Sequence, residues 1–425
     1  MLHTKKQLNA SKALFIISFL AYTIISMSKT SYASAMVSII GEGIFTKSRA
    51  GIISSVFYLT YGIMQLIGAK LVDKISPSLL IGIALLGSAV STFLMSVVNS
   101  FNSMLIIWAF CGFVQFASWP TILRIIAEYV LPEHRHKASI YIAFSLCAGN
   151  LINYILASFI LKYFGWRTIF YVNTAALFVV LIIWCIISAK ATKILDTSNT
   201  SKTVLNPDII KKNNTSEKEL STIRLLISSG LVFLLVPAFI RAALDTGLKA
   251  WVPTLIAENY IVSDSFATML TAVLLVVNLS GVFIANFIYP KYVKNATMAL
   301  CLCFGTILPF TLLLLFTGKI HVLIVTLLLI LVTTITYTAH QFMNIIIPSF
   351  FNRYGHSGSV ASIINSCASL GAVSATFGFG YIAEKFGWSA TIASWSIFAV
   401  ISVVFCIIAF PMWEKFVQGK KGGKI

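Results

Sequence analysis

Twelve long apolar runs constrain the fold of this chain more than any other feature of its sequence. A helix needs about 20 consecutive apolar residues to cross a bilayer with its backbone polar groups bonded internally. Of the 425 residues, 58% are hydrophobic and 10% are charged, too few charges to cover a soluble protein of this size. The sequence therefore predicts an all-α membrane protein with twelve transmembrane helices. The runs span approximately 12–38, 50–71, 78–98, 103–130, 138–163, 168–189, 223–256, 266–289, 297–316, 320–347, 359–383 and 391–413.

One segment, 190–222, interrupts this pattern, since it is polar and rich in Lys, Asn, Ser and Thr. It predicts a cytoplasmic linker between two six-helix bundles, residues 1–189 and 223–425. An internal repeat supports the division, because Phe-Gly-Trp at 164–166 recurs at 386–388, an offset of 222. Two pseudo-symmetric bundles joined by a long linker are typical of the major facilitator fold, in which the substrate binds between the bundles.

The net charge of +18 is distributed unevenly along the chain. If the N-terminus is cytoplasmic and the helices alternate, 21 of the 31 Lys and Arg residues fall in cytoplasmic tails and loops and 6 in outside loops. This split follows the positive-inside rule, so it predicts a multi-pass protein of the cell membrane with both termini in the cytoplasm. The basic charge is therefore an orientation signal and does not indicate a nucleic-acid partner.

The N-terminus imitates a secretion signal, with Lys5 and Lys6 before an apolar stretch and small residues after it. The apolar run from Ala13 to Met36 exceeds the roughly 7–15 residues of a signal peptide's apolar region. Cleavage would leave eleven helices and put the two termini on opposite sides of the membrane. We expect the segment to remain as the first transmembrane helix.

Motifs for metal, redox or nucleotide chemistry are missing from the sequence. The seven cysteines fall in apolar runs, without a CxxC pair or the Cys/His spacing of a zinc site. No GxxxxGK[ST] motif is present to hold a nucleotide. We therefore expect no cofactor, no metal and no enzymatic activity.

Charged residues inside the apolar runs are the first candidates for a functional site. Each costs about 2.5–3.5 kcal/mol to insert at mid-membrane, so each needs a function or a partner. Lys29, in the first run, is predicted to attract an anionic substrate, unless it extends to the outer interface. Arg124, in the fourth run after Pro120, is a candidate for the substrate site or a cytoplasmic gate. It could equally form a structural pair with Glu128 at i+4.

The seventh run carries three charges on one helical face, Arg241, Asp245 and Lys249, spaced at i, i+4 and i+8. Asp245 is predicted to face Lys29 across the bundle interface and to couple transport to protons. The alternative is that Asp245 only neutralises its neighbours on the same helix.

Polar uncharged residues complete the predicted substrate site. Some are expected to bond one helix to another instead, and a lone buried histidine often has a structural role. The candidates are Tyr32, Tyr61, Gln65, Asn150, Tyr337 and His340.

Several short motifs occur along the chain: SYASAM after Lys29, Tyr61-Gly62, Trp119-Pro120 with Arg124, Asn150, the Phe-Gly-Trp closures and Trp251-x-Pro253-Thr254. Together they resemble one family, the organophosphate:phosphate antiporters, which contain the glycerol-3-phosphate and hexose-6-phosphate transporters. Asp73 and Lys74 are also similar to the acidic–basic part of the facilitator motif between helices two and three, which implies a gating role.

The resemblance implies a substrate phosphate held by one arginine from helix one and one from helix seven. This chain departs from the family at both positions, where it has Lys29 and Asp245. It also has Gln65 in place of a helix-two lysine and Gly149 in place of a helix-five histidine. The departures favour a monoanion or a zwitterion, with its cationic group on Asp245, and proton symport over phosphate exchange.

The sequence thus predicts a secondary active transporter that moves a small organic anion or zwitterion by alternating access, coupled to protons. An organophosphate/phosphate antiporter and a membrane solute sensor that does not transport remain open alternatives. The expected partners are the substrate, a proton or inorganic phosphate as the coupling species, and the lipid bilayer. We expect the protein to be a monomer.

Overall fold

The computed structural model describes residues 5–68, 72, 74–196, 222–293, 295–317, 321–351, 354 and 356–418. These residues form helices joined by short connections, and none of them lies in a strand. The helices are α1 (Lys5–Gly41), α2 (Lys47–Ile67), α3 (Pro77–Val97), α4 (Phe101–Gln115), α5 (Ser118–Tyr129), α6 (Pro132–Tyr163), α7 (Arg167–Asp196), α8 (Thr222–Ser228), α9 (Leu231–Tyr260), α10 (Asp264–Asn278), α11 (Ser280–Lys291), α12 (Ala296–Thr317), α13 (Val322–Gln341), a π-helical turn (Phe342–Ile346), α14 (Ile347–Ser349) and α15 (Ser357–Gln418).

Ten helices in the described part are long and apolar enough to cross a membrane, judged by length and composition. The predicted number is twelve. Two features account for the difference: α2 is not among the ten, and α15 covers two predicted runs in one element of 62 residues. Gly387 divides α15 with non-helical torsion angles, φ 81° and ψ 174°. The all-α membrane fold is confirmed, and the division into twelve spans stays a prediction.

The fourth apolar run is broken as its proline suggests. Pro120 has no N–H to donate to the carbonyl four residues earlier, at Phe116. The run accordingly splits between Gln115 and Ser118 into α4 and α5.

The internal repeat is visible in three dimensions. Gly149 on α6 packs so closely on α1 that a Cβ there would meet the carbonyl of Thr23. Gly371 packs on α9 in the same way, against the carbonyl of Phe239. The two glycines differ by 222 positions and their partners by 216. Small residues permit this close helix packing.

The two Phe-Gly-Trp closures repeat the same geometry. Both glycines, Gly165 and Gly387, have φ near +80°, a conformation that favours glycine. The indole of Trp166 donates to Glu42 at 3.1 Å, and that of Trp388 donates to Glu258 at 2.7 Å. The two carboxylates are again 216 positions apart. Lys29 and Asp245 share this offset and are therefore equivalent positions of the repeat.

We call residues up to 196 the first half and residues from 222 the second half. They meet at the face where α1 and α9 end, which we name the closed face. There, three carboxylates of the second half accept bonds from the first half: Asp264 from Ser38 at 2.5 Å, Glu258 from Lys47 at 2.9 Å and Glu384 from the Ser48 backbone at 2.7 Å.

Deeper contacts between the halves run along one face of α6. The Ser158 hydroxyl donates to the carbonyl of Ser265, and the Cys147 thiol lies 3.2 Å from the Tyr337 hydroxyl. These bonds between the halves extend from the closed face to the level of Cys147.

Candidate functional site

Lys29 holds its ammonium in an aromatic cage built by α2. The Nζ atom lies 4.5 Å from the ring centre of Tyr61, 5.3 Å from that of Tyr58 and 5.6 Å from that of Phe57. Cation–π attraction of this kind is worth about 0.5–2 kcal/mol. No carboxylate of a described residue lies within ion-pair distance of Lys29. The cage fixes the cation and leaves its charge without a counter-ion.

The three charges of α9 have different surroundings. Lys249 Nζ lies 2.7 Å from Asp245 Oδ1, an i, i+4 ion pair with both side chains about one-fifth exposed. Asp245 is therefore paired with Lys249 in this structure, not with Lys29 or Arg241. The charges of Asp245 and Lys249 also act on Lys29.

Arg241 is the most deeply buried of these charges, at 4% exposure. It makes no hydrogen bond or ion pair with any residue that the structure describes, and its Nε–H is fully buried and without an acceptor. Its charge acts on Asp245, Tyr337 and His340. A buried guanidinium has five N–H donors, so an unpaired one is costly unless a ligand accepts from it.

A face of α6 brings the first half against these groups. Cys147, Asn150 and Tyr154 are spaced at i, i+3 and i+7, so they project from the same side of the helix. Cys147 contacts Tyr337, and the hydroxyl of Tyr154 donates to the carbonyl of Lys249 at 2.7 Å. Between them, the Oδ1 atom of Asn150 is buried and has no donor among the described residues.

The C-terminal end of α13 supplies the opposite wall. The rings of Tyr337 and His340 stack, with centres 5.7 Å apart and planes 17° apart. Asn344, in the π-helical turn, lies 3.1 Å from His340 through its Nδ2. The Oδ1 atom of Asn344 is buried without a donor in the described structure. π-helical turns of this kind occur frequently at functional sites.

Most predicted site residues are brought together here, and they remain half-buried although they lie between packed helices. They lie on α1, α2, α6, α9 and α13, elements of both halves. These residues are Lys29, Tyr61, Gln65, Asn150, Asp245, Tyr337 and His340. Gln65 contributes to the site through Tyr61, since its side-chain amide nitrogen Nε2 donates to the Tyr61 hydroxyl at 3.0 Å.

Two predicted site residues lie elsewhere. Tyr32 is 1% exposed and donates to the carbonyl of Ala50 at 3.2 Å, which ties α1 to α2. Arg124 forms the predicted pair with Glu128 at 2.7 Å and also donates to the carbonyl of Ile75 at 2.9 Å. These contacts give both residues structural roles.

The predicted gating pair is described only in part. Asp73 lies outside the described residues, and the Lys74 side chain is exposed.

Sequence reasoning missed some members of the site. Lys249 carried a usable signal, because its i+4 spacing from Asp245 favours a local ion pair over a distant one. Phe57 carried none, since an apolar residue in an apolar run predicts only burial. Cys147 becomes recognisable only once the two halves are placed together.

The charges of the site add up to a positive potential. Lys29, Arg241 and Lys249 are opposed by a single carboxylate, Asp245. In the described part of the chain, no cluster of His, Cys, Asp and Glu is arranged to hold a metal ion. The arrangement is suited to holding an anion.

Comparison with known families and proteins gives a consistent picture. The family model described as Major Facilitator Superfamily matches residues 14–376. The chain is 28% identical over 160 residues to a probable hexose phosphate transport protein of Chlamydia pneumoniae, covering 37% of this chain and 35% of that protein. It is 27% identical over 150 residues to the membrane sensor protein UhpC of Salmonella typhimurium, covering 35% of this chain and 34% of that protein. The chain thus matches about a third of the length of these relatives.

Solved structures show the same fold at low identity. The nucleoside transporter NupG superposes with a TM-score of 0.67 at 17% identity, over 96% of this chain and 99% of that one. The D-xylose-proton symporter superposes with a TM-score of 0.70 at 14% identity, over 97% of this chain and 99% of that one.

Proposed function

The chain belongs to the Major Facilitator Superfamily of membrane transporters, and we propose that it carries a small organic anion, bound by Lys29 of the first half and Arg241 of the second. The observation that supports this most directly is that both cations lack a counter-ion among the described residues, whereas Asp245 has one. A bound anion would supply the missing partner to both.

The net charge of the site narrows the substrate class. With Asp245 neutralised by Lys249, two positive charges are left for the substrate, which favours a group with up to two negative charges, such as a phosphate ester. The sequence departures favour a monoanion or zwitterion, which would require Asp245 to leave Lys249. The names of the matched relatives include hexose phosphate transport proteins, which agrees with a phosphate ester.

The uncharged part of the substrate is expected to carry hydrogen-bond donors. Asn150 Oδ1 and Asn344 Oδ1 are buried acceptors without a donor in the described structure. An unsatisfied buried acceptor costs about 1–3 kcal/mol, so each favours a ligand with an O–H or N–H group. We therefore infer a hydroxylated or amino-substituted organic anion.

The same contacts bear on which second solute drives transport of the substrate. Asp245 has a lysine partner at 2.7 Å and needs no proton to be neutralised. This favours exchange of one anion for another, with inorganic phosphate as the counter-substrate, over proton symport.

The charge distribution of the loops supports an orientation. By the positive-inside rule, the closed face lies outside the cell membrane and both termini are cytoplasmic. We propose that the site opens towards the cytoplasm, as in the inward-facing state of alternating access.

Transport into proteoliposomes tests the proposal. Vesicles loaded with inorganic phosphate should take up a hexose phosphate by exchange, without a pH gradient. Lys29→Ala and Arg241→Ala should each abolish uptake, while Lys137→Ala, which removes an exposed lysine of α6, should not. Uptake of an amino-containing zwitterion driven only by a pH gradient would support proton symport instead.

A solute sensor is the second candidate, because one matched relative is a membrane sensor protein. The same vesicles distinguish the two. A sensor would bind the anion with an affinity that depends on Lys29 and Arg241, yet show no exchange.

A further inference from the structure

Tyr154 donates a hydrogen bond from the first half to a backbone carbonyl of the second half. This bond lies further from the closed face than the similar bond of Ser158. The Tyr154 side chain is fully buried on α6, and its hydroxyl donates to the carbonyl oxygen of Lys249 on α9 at 2.7 Å. The bond crosses from one half to the other. It therefore exists only while the halves are together at the closed face.

The carbonyl of Lys249 needs this donor for a local reason. In a helix the carbonyl of residue 249 accepts from the N–H of residue 253, but residue 253 is proline and has no N–H. Pro253 is buried inside α9, so water does not replace the missing donor from the helix's own side. The hydroxyl of Tyr154 fills the gap.

The same residue, Lys249, also carries one of the charges of the site. Its ammonium forms an ion pair with Asp245, and its backbone carbonyl accepts a hydrogen bond from Tyr154. Arg241 lies one helical turn beyond Asp245 and is unpaired in the described structure. Movement of the α9 backbone at Lys249 would therefore move one partner of this ion pair. While Asp245 is paired with Lys249, it is not available to Lys29 or Arg241.

We propose that Tyr154 is a positioning residue that links closure of the closed face to the Asp245–Lys249 ion pair. When the halves separate at this face, the carbonyl of Lys249 loses its donor, because Pro253 provides none. Tyr154 thus stabilises the closed arrangement and, within it, the backbone position from which Lys249 neutralises Asp245. The effect on the ion pair rests on the proposed anion site, whereas the effect on closure does not.

A double-mutant cycle between Tyr154 and Pro253 tests the closure step. Spin labels on unnatural amino acids at Lys162 and Asn259, exposed residues of the two halves near the closed face, report open and closed populations in lipid nanodiscs. Tyr154→Phe should raise the open population about two- to tenfold, as expected for the loss of one hydrogen bond. Pro253→Ala restores an N–H for the carbonyl of Lys249, so Tyr154→Phe should have a clearly smaller effect in that background.

Ser158→Ala is the matched control, because it removes another hydroxyl bond between the same two halves without involving Lys249. Its effect should be equal with Pro253 and with Ala at that position. Pro253→Ala alone should also raise the open population, which keeps the test informative if Tyr154→Phe does not fold. Equal effects of Tyr154→Phe in both backgrounds, or no effect in either, would overturn the proposal.

Phosphate affinity, measured by calorimetry, tests the link to the ion pair. Tyr154→Phe should change the affinity for inorganic phosphate, and the change should disappear in the Lys249→Gln background. An unchanged shift in that background would refute the link. If the cycle with Pro253 shows coupling but no anion is bound or exchanged, the closure role stands and the proposed substrate class fails.

Discussion

Replacing Arg241 by methionine should stabilise the protein and abolish anion binding at the same time. Arg241 is 4% exposed and has no partner among the described residues. Without a substrate, its charge is desolvated and has no directly bonded partner among the described residues, which costs several kcal/mol even after the structure relaxes. Methionine has a similar length, packs in apolar surroundings and carries no charge. If Arg241 instead stabilised the protein in the absence of substrate, Arg241→Met would lower the free energy of unfolding.

The magnitudes follow from the contacts that are present and absent. Removing an unpaired buried charge should raise the free energy of unfolding by about 1–3 kcal/mol, which corresponds to a rise of about 1–3 °C in melting temperature for a chain of this length. A phosphate accepting two charge-assisted hydrogen bonds from the guanidinium would gain about 3–6 kcal/mol from them. Losing both should weaken phosphate binding by about two to four orders of magnitude. Tryptophan fluorescence on heating measures the first quantity, and calorimetry the second.

Arg124 provides a control of the same chemistry inside the same membrane protein. Its guanidinium is already bonded, to Glu128 at 2.7 Å and to the carbonyls of Val72 at 2.5 Å and Ile75 at 2.9 Å. Arg124→Met should therefore lower the melting temperature and leave phosphate binding unchanged. If Arg241→Met behaves like Arg124→Met, Arg241 is structural and the proposed site is wrong.

Four further substitutions separate the roles of neighbouring residues. Lys29→Arg should bind inorganic phosphate about tenfold more tightly in calorimetry, because a guanidinium grips two oxygens at once; weaker binding would show that the cage around Lys29 excludes the larger group. Tyr61→Leu should weaken phosphate binding about fivefold by removing the nearest ring of the cage, whereas Tyr61→Phe should change it less than about twofold. Asp245→Asn should leave the pH profile of exchange unchanged and raise phosphate affinity, since Lys249 is then unpaired; a flattened pH profile would identify Asp245 as a proton carrier. Gly371→Leu should lower the melting temperature, because its side chain would meet the backbone of α9, and an unchanged value would contradict the close packing seen there.

The fold and the charged members of the site were predictable because their signals are local in sequence. Long apolar runs are costly outside a membrane, and a charge within such a run is rare enough to indicate a function. The repeat offsets of 222 and 216 recur as helix contacts of Gly149 and Gly371 because both halves pack by the same rules. Those signals made Lys29 and Arg241 candidates from the sequence alone.

The pairing of the charges was not predictable in the same way. The sequence offers Asp245 three cations, and only the structure shows that Lys249 is the partner. The bond from Tyr154 to the carbonyl of Lys249 needs both a local cause, Pro253, and a contact between halves. A local pattern reveals the free carbonyl but gives no indication of which distant residue supplies the donor.

Lys29 and Arg241, the two cations of the site without an ion-pair partner among the described residues, do not occupy equivalent positions of the repeat. Asp245, not Arg241, is the equivalent of Lys29, and Arg241 lies four residues further from the closed face, about 6 Å along the helix axis. An anion that enters from the side opposite the closed face would therefore meet Arg241 before it reaches Lys29. Asp245 lies at the level of Lys29, and its partner Lys249 lies one helical turn closer to the closed face, so the anion would not have to pass this ion pair. On the proposed function, we therefore expect Arg241 to capture the anion and Lys29, surrounded by its aromatic cage, to hold it at the end of its path.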